Sequence, residues 1–348
     1  MAQRWKQRPP NSNWGDFGPD DQRGRMNWVT REKVLQGIAE VREGRTFCLS
    51  LPLDYPGGNV LNPRRLPPRQ AATLRHGKQN FCFPMGDEVP GITDVVCDDV
   101  VLLTLQYSTQ WDSFAHVGGK FDADGDGTPE IVFYNGFRAG EDVRPARENT
   151  GGAEPWAKYE GARAEALGIQ NLAEAGAQGR AVMVDLHRHF GRARKPVGYD
   201  DLMRVLEADR VAVEKGDFVC FYTGFADVLL ELRKNPDPAI VSNSCSGLDG
   251  RDEALLRWVT DSGAVALISD NYAVELIPTS PFKPVPHALM PLHEHCLFKN
   301  GIHLGEMWYL TELAKYLREA KRSRFLLTAP PLRLPGAVGS PAAAVATV

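Results

Sequence analysis

Between Gln106 and His116 the chain places Gln106, Gln110, Asp112 and His116 at spacings that could converge on one cation. Amide oxygens, a carboxylate and an imidazole are ligand types that divalent ions accept. The preceding run, Val100-Val101-Leu102-Leu103-Thr104-Leu105, is apolar and β-branched and reads as a buried strand leading into the polar residues. If extension persists, alternation puts Gln106, Ser108, Gln110 and Asp112 on one face, with Tyr107, Thr109 and Trp111 on the other. His116 lies four residues past Asp112, a gap that one helical turn closes. Such a cluster needs partners from elsewhere, and the other ligand-rich stretch runs from His293 through His295 and His303 to Glu306.

The elements that must position these residues alternate in type. Arg180 to Leu186, Asp217 to Thr223 and Ala264 to Asp270 read as buried strands; Tyr199 to Ala208 and Leu255 to Val259 read as helices. The pattern predicts a mixed α/β fold. Residues 1–30 have no period and form an expected irregular segment, which Trp14 and Trp28 would pack onto the core or a neighbouring subunit. Thr30 is a predicted N-cap for a helix that carries Val34, Ile38 and Val41 on one side and ends near Gly44. Phe47 to Leu51 reads as a strand, and the Pro- and Gly-rich loop through Arg69 is long enough to be a lid or a plain surface loop. A single domain is expected over 31–335, and the small residues of 336–348 suit close backbone approach or a loose tail.

Composition narrows the function class. A chain of 348 residues with a net charge of -4 and interspersed charges has no basic stripe for nucleic acid and no polybasic membrane anchor. The expected partner is a small-molecule substrate. The first residues are basic without an apolar run, and no window approaches a membrane span of about 20 apolar residues, so a cytoplasmic location is expected. The six cysteines form no C-x-x-C pair and read as reduced, mostly buried thiols. Asp122-Ala123-Asp124-Gly125-Asp126-Gly127 opens like a calcium loop, but Phe133 stands where the bidentate Glu belongs, and a hairpin turn is the better reading.

The two ligand-rich stretches together resemble the cyclase or kynurenine-formamidase-like family of metal-dependent hydrolases. Its hallmark, His-x-Gly-Thr-His-x-Asp-x-Pro-x-His, aligns without gaps on Gln106-x-Ser108-Thr109-Gln110-x-Asp112-x-Phe114-x-His116. Thr109, Asp112 and His116 match. His293, Gly301 and Glu306 fall where that family has a His that begins a helix, a Gly that ends it and a Glu on the next strand. Glutamines replace two histidines, and a neutral amide oxygen is a weaker zinc ligand than an imidazole.

The resemblance implies a compact α/β domain with a sheet or barrel-like core, commonly assembled as a homodimer or higher homo-oligomer. In a two-metal relative Asp112, His116, His293 and Glu306 would serve largely the second ion; with two motif histidines replaced, a single divalent ion held by these four residues is expected here, with Gln106 or Gln110 assisting. The oxygen-rich shell leans toward Mn2+, while the imidazoles keep Zn2+ open. The catalytic candidates are His116, Asp112 and Glu306: His116 is either a ligand or the general base, and Glu306 moves the proton if His116 binds metal. The implied activity is hydrolysis of an amide, cyclic imide or lactone-type carbonyl bond. A metal-assisted cyclase or dehydratase is one rival, and a non-catalytic binding protein that has lost its imidazole ligands is another.

Overall fold

The computed structural model describes residues 3–146, 161–277 and 287–348. Nine strands among them form one sheet: β1 (Thr46–Cys48), β2 (Gln110–Asp112), β3 (Gln178–Asp185), β4 (Phe218–Tyr222), β5 (Ala266–Ser269), β6 (His303–Glu306), β7 (Arg324–Thr328), β8 (Gly339–Pro341) and β9 (Val345–Thr347). The order across the sheet is β1-β9-β7-β3-β4-β5-β6-β2-β8. Strands β3 to β6 pair in parallel, and the outer pairings are antiparallel.

The sheet curls because of its last residues. Strands β8 and β9 stand near opposite ends of the order, yet only Ala342, Ala343 and Ala344 separate them in the chain. Three residues span roughly 11 Å at most, so the two ends must approach each other, and the sheet closes toward a barrel. Ala342, Ala344 and Ala346 are buried there in a hydrophobic core. The segment 336–348, set apart in the sequence by its small residues, thus supplies two strands of the main sheet.

The central strands are buried on both faces, as parallel strands are. On β3, Val182 and Val184 belong to one core and Ala181 and Met183 to the other, which is period-two alternation between two apolar environments. Helices α2 (Tyr199–Asp209) and α3 (Glu253–Asp261) contribute to the first core and α4 (Thr311–Glu319) to the second. Trp14 is fully buried against Trp5, Phe121 and Phe298 in the first core, while Met26 and Trp28 pack on the second.

Two local expectations are corrected. The helix that Thr30 caps exists as α1 (Arg31–Ala39), with Thr30 Oγ1 accepting from Lys33 N, but its buried face is Lys33 and Gly37, while Ile38 is 49% exposed. An ion pair decides this: Lys33 Nζ reaches Asp217 at 2.7 Å, and Arg180 holds the same carboxylate at 2.6 Å. Gly37 lets the helix backbone lie against Gly179 and Arg180. The apolar run before the motif is not buried either. Asp99–Leu102 pairs with Arg69–Ala72 in a separate two-stranded sheet, and Val100 and Val101 are about half exposed. Three of the six cysteines, Cys48, Cys82 and Cys97, are exposed; Cys220, Cys245 and Cys296 are buried.

Gly37 gives a test in which two effects oppose each other. Alanine favours a helix interior over glycine by about 1 kcal/mol, but a Cβ at residue 37 would lie 2.7 Å from Gly179 C and 2.8 Å from Arg180 N, backbone atoms that cannot rotate away. Gly37→Ala is therefore expected to lose roughly 1–3 kcal/mol in urea unfolding, while Ile38→Ala stays within about 0.5 kcal/mol of the parent.

Candidate metal centre

The pairing of β2 with β6 sets the floor of the site. Their antiparallel register places Gln110 opposite Glu306 and Asp112 opposite Leu304. Only Gln110 to Asp112 of the motif is strand. The chain turns between Thr104 and Tyr107, so the extended comb does not reach back to Gln106. Gln110 and Asp112 do share a face: Gln110 Nε2 donates to Asp112 Oδ1 at 3.2 Å and to Glu306 Oε2 at 2.9 Å. The orientation of that amide follows from its hydrogen bonds; it puts N–H donors between two carboxylates and leaves Gln110 Oε1 without a partner.

His293 completes the cluster. It ends the short helical turn Pro291–His293, which continues as a π-helix over Glu294–Lys299, and Gly301 follows with φ 56°. Its Nε2 is 3.0 Å from Glu306 Oε1, and its Nδ1 is 2.8 Å from Glu275 Oε1. Ligand atoms of Asp112, His293 and Glu306 all lie within 4.8 Å of one another, and all three residues are buried. Two atoms coordinated to one ion at about 2.1 Å and at right angles are about 3.0 Å apart, which is the His293–Glu306 separation. Asp112 Oδ2 is buried with no partner. Spacing, donor types and the orphaned oxygen all fit a divalent cation.

Glu275 is the residue that sequence reading missed. Its carboxylate accepts from Leu292 N, His293 N and His293 Nδ1, so it caps the turn and fixes the imidazole in one motion. Gly250 makes room for it, since a Cβ there would sit 2.1 Å from Glu275 Oε2. The only sequence signal was an acidic residue in an apolar stretch, Ala273-Val274-Glu275-Leu276. His303 has a supporting role as well: its Nδ1 lies 3.0 Å from the carbonyl oxygen of Asp112, burial lowers its imidazole to about 4, and it stacks on Phe114.

The remaining candidates separate clearly. His116 is reached through a turn closed by its N–H to Ser113 O; its Nε2 is 3.8 Å from Asp112 Oδ1 and its side chain 20% exposed, outside the tight trio. Gln106 is buried with Nε2 unpartnered, and it packs over Gly339, where a Cβ would meet Nε2 at 2.5 Å. His295 bonds Thr260 Oγ1 at 2.9 Å and His189 pairs with Asp209 at 2.8 Å, both in structural roles. Burial raises the Cys220 and Cys296 thiols, which leaves them poor nucleophiles. Residues 122–129 are a hairpin turn between Gly119–Phe121 and Glu130–Val132, and Asp122 already accepts three backbone N–H groups there.

Electrostatics couple the trio to its occupant. Burial raises the Asp112 carboxyl, and Glu306 adds to this against the opposing pull of His116 and His293. Burial alone would lower His293, but its hydrogen bonds to Glu275 and Glu306 outweigh that and raise it to about 10. Because the folded value lies above the ordinary 6.5, this proton stabilises the metal-free fold fully below pH 6.5, and that contribution is lost as pH climbs through about 10. A metal must displace the same proton. Calorimetric titration with Mn2+ or Zn2+ should therefore show affinity rising from pH 6 to 9 with proton release. Glu275→Gln should weaken uptake by roughly 10- to 100-fold, and Asp112→Ala or His293→Ala should abolish it in a chain that still folds.

The comparisons bear on family and fold. The cyclase family model, described as "Putative cyclase", matches residues 49–276, which is more than half of the chain; His293 and Glu306 lie beyond the match. A crystal structure of a novel cyclase is similar at 28% identity and a TM-score of 0.72, covering 98% of this chain and 100% of that one. Isatin hydrolase A from Labrenzia aggregata has 13% identity and a TM-score of 0.54, covering 90% of this chain and 97% of that one. Isatin hydrolase A from Ralstonia solanacearum has 14% identity and a TM-score of 0.52, with coverages of 91% and 97%. At these identities the two hydrolases speak for the fold alone, a mixed α/β architecture with a curled sheet. No curated protein matches. Among the described residues no helix is long and apolar enough to cross a membrane. The length of the family match and the shared fold lead to one conclusion: this chain belongs to the cyclase family.

Proposed function

We propose that the chain is a metal-dependent hydrolase that opens an amide, cyclic imide or lactone-type carbonyl bond of a small molecule. The observation that carries this reading is the buried trio of Asp112, His293 and Glu306, backed by Glu275 on the far nitrogen of the imidazole. A divalent ion held there supplies Lewis acidity toward a carbonyl and lowers the pKa of water. Carboxylate-rich ligation with one imidazole favours Mn2+ over Zn2+.

The chain's own residues then divide the work. Asp112 and Glu306 offer negative oxygens, and Glu275, paired with His293 Nδ1, would keep that nitrogen protonated and leave Nε2 as the one to bind a metal. His116 is the general base: its Nε2 stands 3.8 Å from Asp112 Oδ1, and its partly exposed imidazole can take a proton from water and return it to the leaving nitrogen or oxygen. Water oxygen bonds to the carbonyl carbon, the C–N or C–O bond breaks, and that proton completes the leaving group. Gln110 spans the two carboxylates with its amide and holds them in place.

Isatin, a cyclic amide named in two structural neighbours, is a suitable first probe. Protein reconstituted with Mn2+ or Zn2+ should open it to the ring-cleaved acid, seen by loss of its visible absorbance, and a chelator should stop the reaction. His116→Ala should keep stoichiometric metal yet lose about 10²- to 10⁴-fold in kcat, and Asp112→Ala should lose both metal and activity. If protein purified without chelator holds no divalent ion, and added Mn2+ or Zn2+ leaves Tm unchanged, the non-catalytic binding reading replaces this one.

A further inference from the structure

Two of the exposed cysteines are set against each other by a ladder. Phe83–Pro84 pairs antiparallel with Val95–Val96 in a small sheet of its own, with Phe83 opposite Val96. Continuing that register by one residue puts Cys82 across from Cys97, and their sulfurs lie 3.9 Å apart. On the other flank Asp98 N donates to Asn80 O at 2.8 Å, and Asn80 Nδ2 donates to Asp98 Oδ2 at 2.6 Å. Phe81 and Cys82 thus oppose Cys97 alone, a one-residue bulge that Cys82 accommodates with φ 53°. Hydrogen bonds on both flanks hold the thiols together. The other cysteines lack this arrangement: Cys48 Sγ lies against Ser50, and Cys220, Cys245 and Cys296 are buried.

The spacing suits a covalent bond. Opposed residues of an antiparallel pair keep their Cα atoms about 4.5–5.5 Å apart, inside the range that disulfides span. Bonding needs the sulfurs to close by roughly 2 Å, which rotation about a Cα–Cβ bond supplies. The two sulfurs are chemically unequal. Cys82 N donates to Cys97 Sγ at 3.0 Å, which favours negative charge on Cys97, and contact with Cys97 raises the Cys82 thiol above its ordinary range. Both residues are exposed, so a small oxidant can reach them.

We propose that Cys82 and Cys97 form a reversible dithiol–disulfide site for low-molecular-weight disulfides of the glutathione class, and that the bond locks the base of the 83–96 hairpin. The Cys97 thiolate attacks one sulfur of the oxidant, whose S–S bond breaks, and the first half leaves as a thiolate that takes up a proton. Cys82 then gives up its proton, attacks Cys97 Sγ in the mixed disulfide and expels the second half. Two protein thiols and one external disulfide become one protein disulfide and two external thiols. The bond links residues 15 positions apart and removes the open conformations of the hairpin between them. This site is independent of the metal centre.

Full-length protein treated with glutathione disulfide in the presence of a chelator, then digested without reductant, tests this. The expected result is a Cys82–Cys97 cross-linked peptide, a loss of about 2 Da from the intact chain and full reversal by dithiothreitol. Two of the six thiols titratable in denaturant should disappear. Cys48→Ser should react as the parent does, whereas Cys82→Ser should stop at a glutathione adduct on Cys97, formed faster than Cys97→Ser forms one on Cys82. Oxidation of the parent should slow hydrogen exchange at Asp98 N by about 10-fold or more. A stable mixed disulfide in the parent, a bond to Cys48 or to a second chain, or an unchanged thiol count overturns the site. Faster adduct formation on Cys82 overturns Cys97 as the attacking sulfur, and a Cys82–Cys97 bond that leaves exchange at Asp98 unchanged overturns the lock.

Discussion

One buried imidazole between two carboxylates is the constraint on which this structure turns. Glu275 and Glu306 flank His293, and Asp112 completes a pocket of negative charge closed to solvent. Unpaired carboxylates in such a place cost several kcal/mol each, so the fold can keep them only with compensating positive charge. In the metal-free protein the proton on His293 and the amide N–H groups of Gln110 provide it. A divalent ion would provide it better, and Asp112 Oδ2 is buried without a partner. Metal binding and fold stability are thereby parts of one electrostatic balance.

The architecture exists around that balance. The sheet must bring β2, from the first third of the chain, beside β6, from the last, and it does so through an antiparallel pairing that aligns Gln110 with Glu306. Strand β8 then pairs with the other edge of β2, and Gly339 leaves room for the Gln106 side chain. The segment after β5 carries Glu275 back under the turn at His293, where Gly250 has no side chain to obstruct it. Each support comes from a different part of the chain, so the site cannot form before the sheet closes.

Much of this was legible in the residues. The strands at 180–186, 217–223 and 264–270 announced themselves as apolar runs, Thr30 marked its helix, and the motif around Asp112 together with His293 and Glu306 named the three side chains that the structure brings together. Other features carry no local signal. Val100 and Val101 look like core residues, but their strand projects from the main sheet and pairs only with Arg69–Ala72. Strands β8 and β9, with three alanines between them, look like a loose tail because small side chains carry almost no periodic contrast. Glu275 is invisible as a support for His293 until the fold sets it there, for no sequence spacing links residue 275 to the nitrogen of an imidazole 18 positions away.

The two glutamines set this chain apart within the pattern it resembles. An imidazole at residue 110 could bind a cation, whereas the amide found there bridges two carboxylates, and Glu275 orients the His293 imidazole. A single ion, held by Asp112, His293 and Glu306, is the occupancy that this arrangement supports. The direct measurement is an anomalous-scattering map, collected at the manganese and zinc absorption edges on crystals of protein purified without chelator. The account predicts one peak about 2.0–2.3 Å from an Asp112 oxygen, His293 Nε2 and a Glu306 oxygen. A map with no peak there, with His293 still hydrogen-bonded to both glutamates, would contradict it.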